Sequence, residues 1–134
     1  MAHILYNALV TPDGTLLESL HRHHFSSRTD TITGEYYLID GGNEPYFRMS
    51  VNKVEGKRIC VTTDDIHEVK RKYFHWGSYG KSGDEPLHFI KLIDMAEEHI
   101  CAVIRTQTNL AKHIKELMKS ELEYRHLELN KETE

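Results

Sequence analysis

Four consecutive basic residues form the most chemically distinctive segment of the sequence, His21-Arg22-His23-His24. An arginine guanidinium can hold phosphate or carboxylate through paired hydrogen bonds, and imidazole N–H groups add further donors. On a strand, His21 and His23 would face one side and Arg22 and His24 the other. Two imidazoles on one face could begin a metal site, although tetrahedral zinc needs a further protein ligand. Three interpretations stay open: a solvated edge strand, anion recognition by His21, Arg22 and His23, and a metal-dependent phosphodiesterase or hydrolase using His21 and His23.

An aromatic and glycine-rich segment, residues 75–86, is a second candidate for binding. The rings of Trp76 and Tyr79 could stack on a base, while nearby glycines let backbone N–H groups approach phosphate. Burial of Trp76 as a core anchor is the alternative. Gly80-Lys81-Ser82 is similar to the end of a phosphate-binding loop, but His75 stands where that loop requires its first glycine. A nucleotide triphosphatase is therefore excluded.

Two further arginines could contact an anionic ligand. Arg48 lies in an alternating segment whose pattern predicts that it faces away from the core. Arg105 is predicted at the C-terminal end of a helix, where it could satisfy carbonyls and complement the helix dipole, or reach a ligand at the rim of buried surface. The sequence contains no GxSxG nucleophile elbow, and no Ser-His-Asp or Cys-His arrangement can be argued. We therefore expect binding without catalysis.

Composition limits the partners. The 134 residues carry a formal net charge of −4, which argues against a protein that coats long nucleic acid, because that needs a broad basic surface. No run approaches the roughly 20 apolar residues of a membrane span, and the N-terminus lacks a signal-peptide pattern, so we expect a cytosolic protein. Cys60 and Cys101 lack CxxC spacing and are predicted to be buried free thiols. Ten histidines suggest that ligand affinity depends on pH.

The elements that must position these residues predict an α+β fold. A mainly antiparallel N-terminal sheet is followed by a short helix and two longer C-terminal helices. The predicted hairpin joins Ile4–Val10 to Leu16–His23 through a turn at Thr11–Gly14, before a polar connection at Phe25–Gly34. Further strands are predicted at Glu35–Asp40, covered on both faces, at 46–51 and at 58–63.

Helix signals begin after these strands. Asp65 with Glu68 predicts a capping box at one helix start, and Asp94 followed by Glu97 is a second N-terminal helix signal. The first helix, about 66–74, is expected to expose Lys70, Arg71 and Lys72. The last helix should start near Asn109, bury Leu110, Ile114, Leu117 and Met118, and expose Lys115, Lys119 and Glu121. We expect one domain, β-rich at about 1–63 and helical at about 64–128, with a frayed tail at about 129–134.

Most of the chain resembles one known family, the first class of Thoeris anti-defence proteins, which are phage-encoded sponges of nucleotide signals. The resemblance is carried by four segments: His21-Arg22-His23, Tyr36-Tyr37-Leu38-Ile39-Asp40-Gly41-Gly42, Trp76-Gly77-Ser78-Tyr79-Gly80-Lys81, and Met95 to Arg105. The order of a β-rich half before two closing helices is also similar to that family.

The resemblance implies a homo-oligomer, with dimers that assemble into hexamers, in the cytoplasm of the host cell. It implies capture of cyclic ADP-ribose-type signals, and in some members of cyclic oligonucleotides, without cleavage and without a cofactor. On this basis Arg48, Trp76, Tyr79 and Arg105 would bind the ADP-ribose-type ligand in pockets between protomers. His21, Arg22 and His23 would serve a cyclic oligonucleotide at a higher-order interface. A phage protein that inhibits a host protein by direct binding is a further alternative.

Overall fold

Strands dominate the first half of the chain and helices the second. The structure, a computed structural model, describes residues 2–43, 46–80 and 82–133, with side chains as far as residue 127. The predicted α+β class is confirmed, since six strands precede the first helix and all strand pairs are antiparallel. The chain folds into two compact units, Met1–Asp65 and Ile66–Glu134.

The N-terminal unit contains two three-stranded sheets. Their orders are β2-β1-β6 and β3-β4-β5. The strands are β1 (Ile4–Val10), β2 (Leu16–Glu18), β3 (Ser26–Thr29), β4 (Tyr36–Asp40), β5 (Arg48–Met49) and β6 (Lys57–Thr62). The predicted hairpin is present as β1 and β2, although β2 ends at Glu18 rather than His23, and the polar connection predicted at Phe25–Gly34 contains β3.

The core of this unit lies on alternating positions of its strands. Tyr37 and Ile39 of β4 are fully buried while Tyr36 is exposed, so the prediction that this strand is covered on both faces is wrong. Leu9 and Leu17 complete the buried cluster, against which Phe47 and Met49 pack. The strand predicted at 46–51 shortens to two residues, and Val51 is 99% exposed. Period-two alternation thus identifies the buried face better than it identifies strand length.

Hydrogen bonds to one carboxylate hold the turn between β1 and β2. Asp13 Oδ1 accepts from the hydroxyls of Thr11 and Thr15, and Asp13 Oδ2 accepts from Arg28 Nε and from the backbone and side chain of Thr31. The hydrogen bonds from the Thr11 hydroxyl and the Thr31 N–H make the largest contributions, and these donors together hold the pKa of Asp13 well below its usual range. Burial acts in the opposite direction and raises the pKa. Asp13 therefore ties the first turn to the β3–β4 connection.

The C-terminal unit combines three helices with one hairpin. The elements are α1 (His67–Tyr73), β7 (His75–Ser78), β8 (His88–Lys91), a 3-10 turn (Leu92–Asp94), α2 (Glu97–Thr106) and α3 (Lys112–Thr133). The segment expected to be an irregular loop thus supplies β7. The predicted capping box at Asp65 is wrong, because Ile66 occupies the N-cap position. Asp65 instead accepts a hydrogen bond from Thr62 N at 2.8 Å. A helix does begin shortly after Asp94, at Glu97, with Ala96 as its N-cap.

A charged cluster joins α1 to α3. Glu121, expected on a solvated helix face, is fully buried, and its carboxylate accepts two hydrogen bonds from Arg71 and one from Arg125. Arg71 was expected to be exposed, but its side chain is 14% exposed and stacks on Tyr124. His67 Nε2 lies 2.9 Å from Glu121 Oε1. The charge pattern of α3 alone could not show that Glu121 is buried. Its burial depends on Arg71, which α1 supplies as a partner.

The remaining sequence expectations fare unequally. Leu117 and Met118 are buried as expected. Both cysteines were predicted to be buried, but Cys60 is exposed and Cys101 is half-buried. The terminal helix begins at Lys112 and continues to Thr133, while Glu134 lies outside the described residues. Across the part of the chain that the structure describes, no helix has the length and apolar character needed to cross a membrane.

Candidate functional site

The basic segment adopts a turn rather than the expected strand. His24 N donates to His21 O at 2.9 Å, which closes the turn, and His23 N donates to His21 Nδ1 at 3.2 Å. The Ser19 hydroxyl donates to His24 O at 2.7 Å and accepts from Gly42 N. These local bonds replace a strand ladder, which is how serine side chains compete with regular structure. The strand prediction for residues 19–23 is therefore wrong.

The turn gathers its four side chains, which strand alternation would have divided between two faces. The His21 and His24 rings stack with centroids 5.7 Å apart, and the His21 and His23 rings meet edge to face at 6.2 Å. Arg22 Nε donates to His23 Nε2 at 3.1 Å, and the Arg22 guanidinium lies over the Tyr46 ring, 5.1 Å from its centroid. We call Arg22, the three histidines and Tyr46 the basic turn.

A two-glycine loop after β4 supports the basic turn. Gly41 and Gly42 have φ angles of 85° and 67°, in the left-handed region that favours glycine. A Cβ at Gly42 would lie 2.7 Å from the carbonyl carbon of His21. Gly42 O accepts from the side chain of Asn7, which is fully buried in β1. The basic turn is therefore tied through this loop to the centre of the first sheet.

The electrostatics of the basic turn favour an anion. Burial, together with the nearby His24 and His23, lowers the pKa of His21. Within residues 2–43, 46–80 and 82–127, Arg22 forms no ion pair with a carboxylate. Arg22 and His23 are exposed. An anion at this surface would supply the negative charge that the Arg22 guanidinium lacks.

The same turn offers little to a metal ion. His21 Nδ1 accepts from His23 N, and His24 Nδ1 accepts from Leu20 N at 2.9 Å. These contacts occupy one ring nitrogen of each histidine. Among the described residues, no three histidine, cysteine or carboxylate side chains cluster as metal ligands would. The metallohydrolase hypothesis thus finds no donor set in the described part of the chain.

A second candidate site is a hollow in the C-terminal unit, between the β7–β8 hairpin and α2. It measures about 410 Å³, within the range of small-molecule sites. Its lining comprises Ser78, Gly80, Ile90, Ala96, Glu98, His99 and Ala102. A neighbouring depression shares Ala96 and Glu98 with it and includes Arg105.

Three of the predicted ligand residues lie close in sequence to residues that line this hollow. Trp76 is half-buried and pairs across the hairpin with Ile90, so both side chains lie on one face of the hairpin. Tyr79 is 57% exposed and lies between two lining residues. Arg105 is exposed in the last turn of α2. Lys81, part of the same motif, lies outside the described residues.

Arg48 belongs to the N-terminal unit. It faces solvent as predicted, and its guanidinium contacts Asp40 Oδ2 at 2.9 Å from Nε and 2.8 Å from Nη2. Tyr46, Gly42 and Asn7 were missed as contributors to the candidate anion site. The Asp40-Gly41-Gly42 sequence indicated a turn, but nothing local in the sequence indicated that this turn would contact Ser19, which lies 23 residues earlier.

Comparisons with protein-family models, with curated proteins and with solved structures found no match for this chain. The candidate site is consequently defined by its own geometry, as an exposed basic turn supported by a buried hydrogen-bond network.

Proposed function

We propose that this protein is a non-catalytic binder of a small phosphate-bearing ligand. The observation that carries the proposal is the basic turn, in which Arg22 lies over Tyr46 beside His21, His23 and His24. Stacking on an aromatic ring orients a guanidinium while its outer N–H groups stay available for phosphate oxygens. An imidazole that accepts a backbone N–H at Nδ1, as His21 and His24 do, carries its proton on Nε2 and can donate from there.

The particular ligand class follows from the sequence resemblance. We propose a phage anti-defence sponge that sequesters cyclic ADP-ribose-type signals in the host cytoplasm, acts as a homo-oligomer, and also captures cyclic oligonucleotides. The basic turn would receive the phosphates of a cyclic oligonucleotide. Sequestration requires tight binding and no bond cleavage, which suits a site built from hydrogen-bond donors and an aromatic ring.

The hollow beside α2 is the proposed site for the ADP-ribose-type ligand. Its volume suits a small molecule, and Arg105 lines the neighbouring depression. Trp76 and Tyr79 do not line the hollow themselves; Trp76 pairs with the lining residue Ile90, and both rings would supply aromatic surface at its edge. Glu98 lines the same hollow and would repel phosphate. We therefore expect the phosphates near Arg105, with Glu98 accepting hydrogen bonds from a ribose hydroxyl or a base amino group.

Calorimetry with purified protein tests both sites. Cyclic ADP-ribose isomers and cyclic trinucleotides are titrated separately, and the protein is then heat-denatured so that the released ligand can be analysed. We expect stoichiometric binding and intact ligand. Degraded ligand would overturn the non-catalytic proposal, and absence of binding by every candidate would overturn the sponge.

Matched variants assign the ligands to the sites. Arg22→Gln should weaken trinucleotide binding by roughly tenfold or more, because it removes charged hydrogen bonds. Tyr46→Leu should weaken it less, since only the stacking is lost. Arg28→Gln is the control, because Arg28 lies on β3, pairs with Asp13 and is not part of the basic turn. Arg105→Gln should affect only the ADP-ribose-type ligand; an equal effect of Arg22→Gln and Arg28→Gln would refute the assignment of the basic turn.

A further inference from the structure

The N-terminal unit has a cleft at the open side of its core. The cleft measures about 260 Å³, just below the roughly 300–1,000 Å³ typical of drug-sized ligands. Its floor includes Leu9, Tyr37 and Met49, of which Leu9 is 2% exposed and Tyr37 fully buried. The size favours a molecule smaller than a nucleotide, and the floor favours an apolar group on that molecule.

Hydrogen bonds hold one rim of the cleft in place. The Ser50 hydroxyl donates to Asn52 Oδ1 at 2.6 Å, and Asn52 Nδ2 donates to Tyr36 O at 2.9 Å. The Tyr37 hydroxyl donates to Val54 O. The polar groups of Ser50 and Asn52 thus serve the rim itself, so charged recognition of a ligand would fall to other side chains.

Arg58 is the positively charged residue on the lining, and two contacts orient it. Its guanidinium lies over the Phe47 ring, 4.8 Å from the centroid, and its Nη2 donates to Asn7 Oδ1 at 3.0 Å. Asn7 is fully buried and also donates to Gly42 O, so it cannot follow Arg58 into solvent. A guanidinium fixed in this way loses less freedom when it binds a carboxylate.

Glu55 gives the lining an opposite charge. It is exposed, three residues before Arg58 in the chain, and it lines the same cleft. Across residues 2–43, 46–80 and 82–127, neither Glu55 nor Arg58 forms an ion pair. Glu55 would repel a simple carboxylic acid and attract an ammonium group. A ligand with both charges and an apolar body satisfies every part of the lining.

We infer that this cleft binds a free apolar amino acid. Its side chain contacts Leu9, Tyr37 and Met49, its carboxylate binds Arg58, and its ammonium group faces Glu55. The residues proposed to contact this ligand differ from those of the basic turn, although Asn7 supports both sites.

Ligand-observed NMR with L-leucine tests the inference on the full chain. Isocaproate retains the apolar body and carboxylate of leucine but lacks the ammonium group, and isoamylamine lacks the carboxylate. We expect leucine to bind more tightly than either analogue. Absence of leucine binding, or binding no tighter than that of isocaproate or isoamylamine, would overturn the inference.

Variants connect the binding to the two charged residues. Both side chains are exposed, but contacts with Phe47 and Asn7 orient Arg58. Arg58→Gln should therefore weaken leucine binding by roughly tenfold, while Glu55→Gln should have a smaller effect. Arg58→Lys should restore part of the loss, since it keeps the charge but not the planar fork. Arg28→Gln is the matched arginine control, and circular dichroism verifies that each variant is folded. Equal leucine affinity in wild type and Arg58→Gln would overturn the assignment.

Discussion

Substitution of one buried carboxylate should strongly destabilise the C-terminal unit. Glu121→Gln preserves the side-chain volume but removes the negative charge that Arg71 and Arg125 share. The Arg71 side chain is 14% exposed and that of Arg125 is 25% exposed, so water can only partly replace the lost carboxylate. Removing one partner of a buried ion pair costs about 3–5 kcal/mol, and the partial exposure places our expectation at about 3 kcal/mol. This is a large fraction of the roughly 5–15 kcal/mol by which domains are stable.

Urea unfolding followed by tryptophan fluorescence measures this loss in the relevant unit. Trp76 is the sole tryptophan of the chain and lies in the same compact unit as Glu121. Glu116→Gln provides the control on the same helix. Its partner Lys112 is 3.9 Å away, and their side chains are 64% and 89% exposed. We expect the control to change the free energy of unfolding by less than about 0.5 kcal/mol. A loss below about 1 kcal/mol for Glu121→Gln would refute the role assigned to the cluster.

Three further predictions concern pH and the basic turn. Burial opposes ionisation of Glu121, but hydrogen bonds from Arg71, His67 and Arg125 lower its pKa below the ordinary 4.5. A lowered pKa contributes stability above 4.5 that is lost as the pH falls through the folded-state value, so wild-type urea midpoints should fall in acid while those of Glu121→Gln change less. Gly42→Ala should lower the melting temperature more than Gly34→Ala, because both have positive φ but only Gly42 would place a Cβ against backbone; equal shifts would contradict this. Affinity for a cyclic trinucleotide should rise in acid, since a bound anion favours protonation of His21, whose pKa is lowered in the free protein. A pH-independent calorimetric affinity would contradict this.

Local patterns in the sequence predicted much of the secondary structure. The run Ile4–Val10 forms β1 within the predicted bounds, because strand-favouring residues precede a strong turn signal. The helical spacing of Leu117 and Met118 likewise identified the buried face of α3. The shorter strands were predicted less well: β3 was missed and β5 was overextended, since their pairing depends on neighbours distant in the chain.

The candidate sites depended more heavily on tertiary contacts. Residue types in the sequence alone marked His21-Arg22-His23-His24 as able to bind an anion, because that chemistry belongs to the side chains. Only the tertiary structure decided that they form a turn supported by Gly42 and Asn7, with Arg22 over Tyr46. It also decided that Glu121 is buried, because Arg71 is 50 residues away in the chain. Local propensity acts over a few residues, whereas burial and charge compensation depend on which distant segments meet.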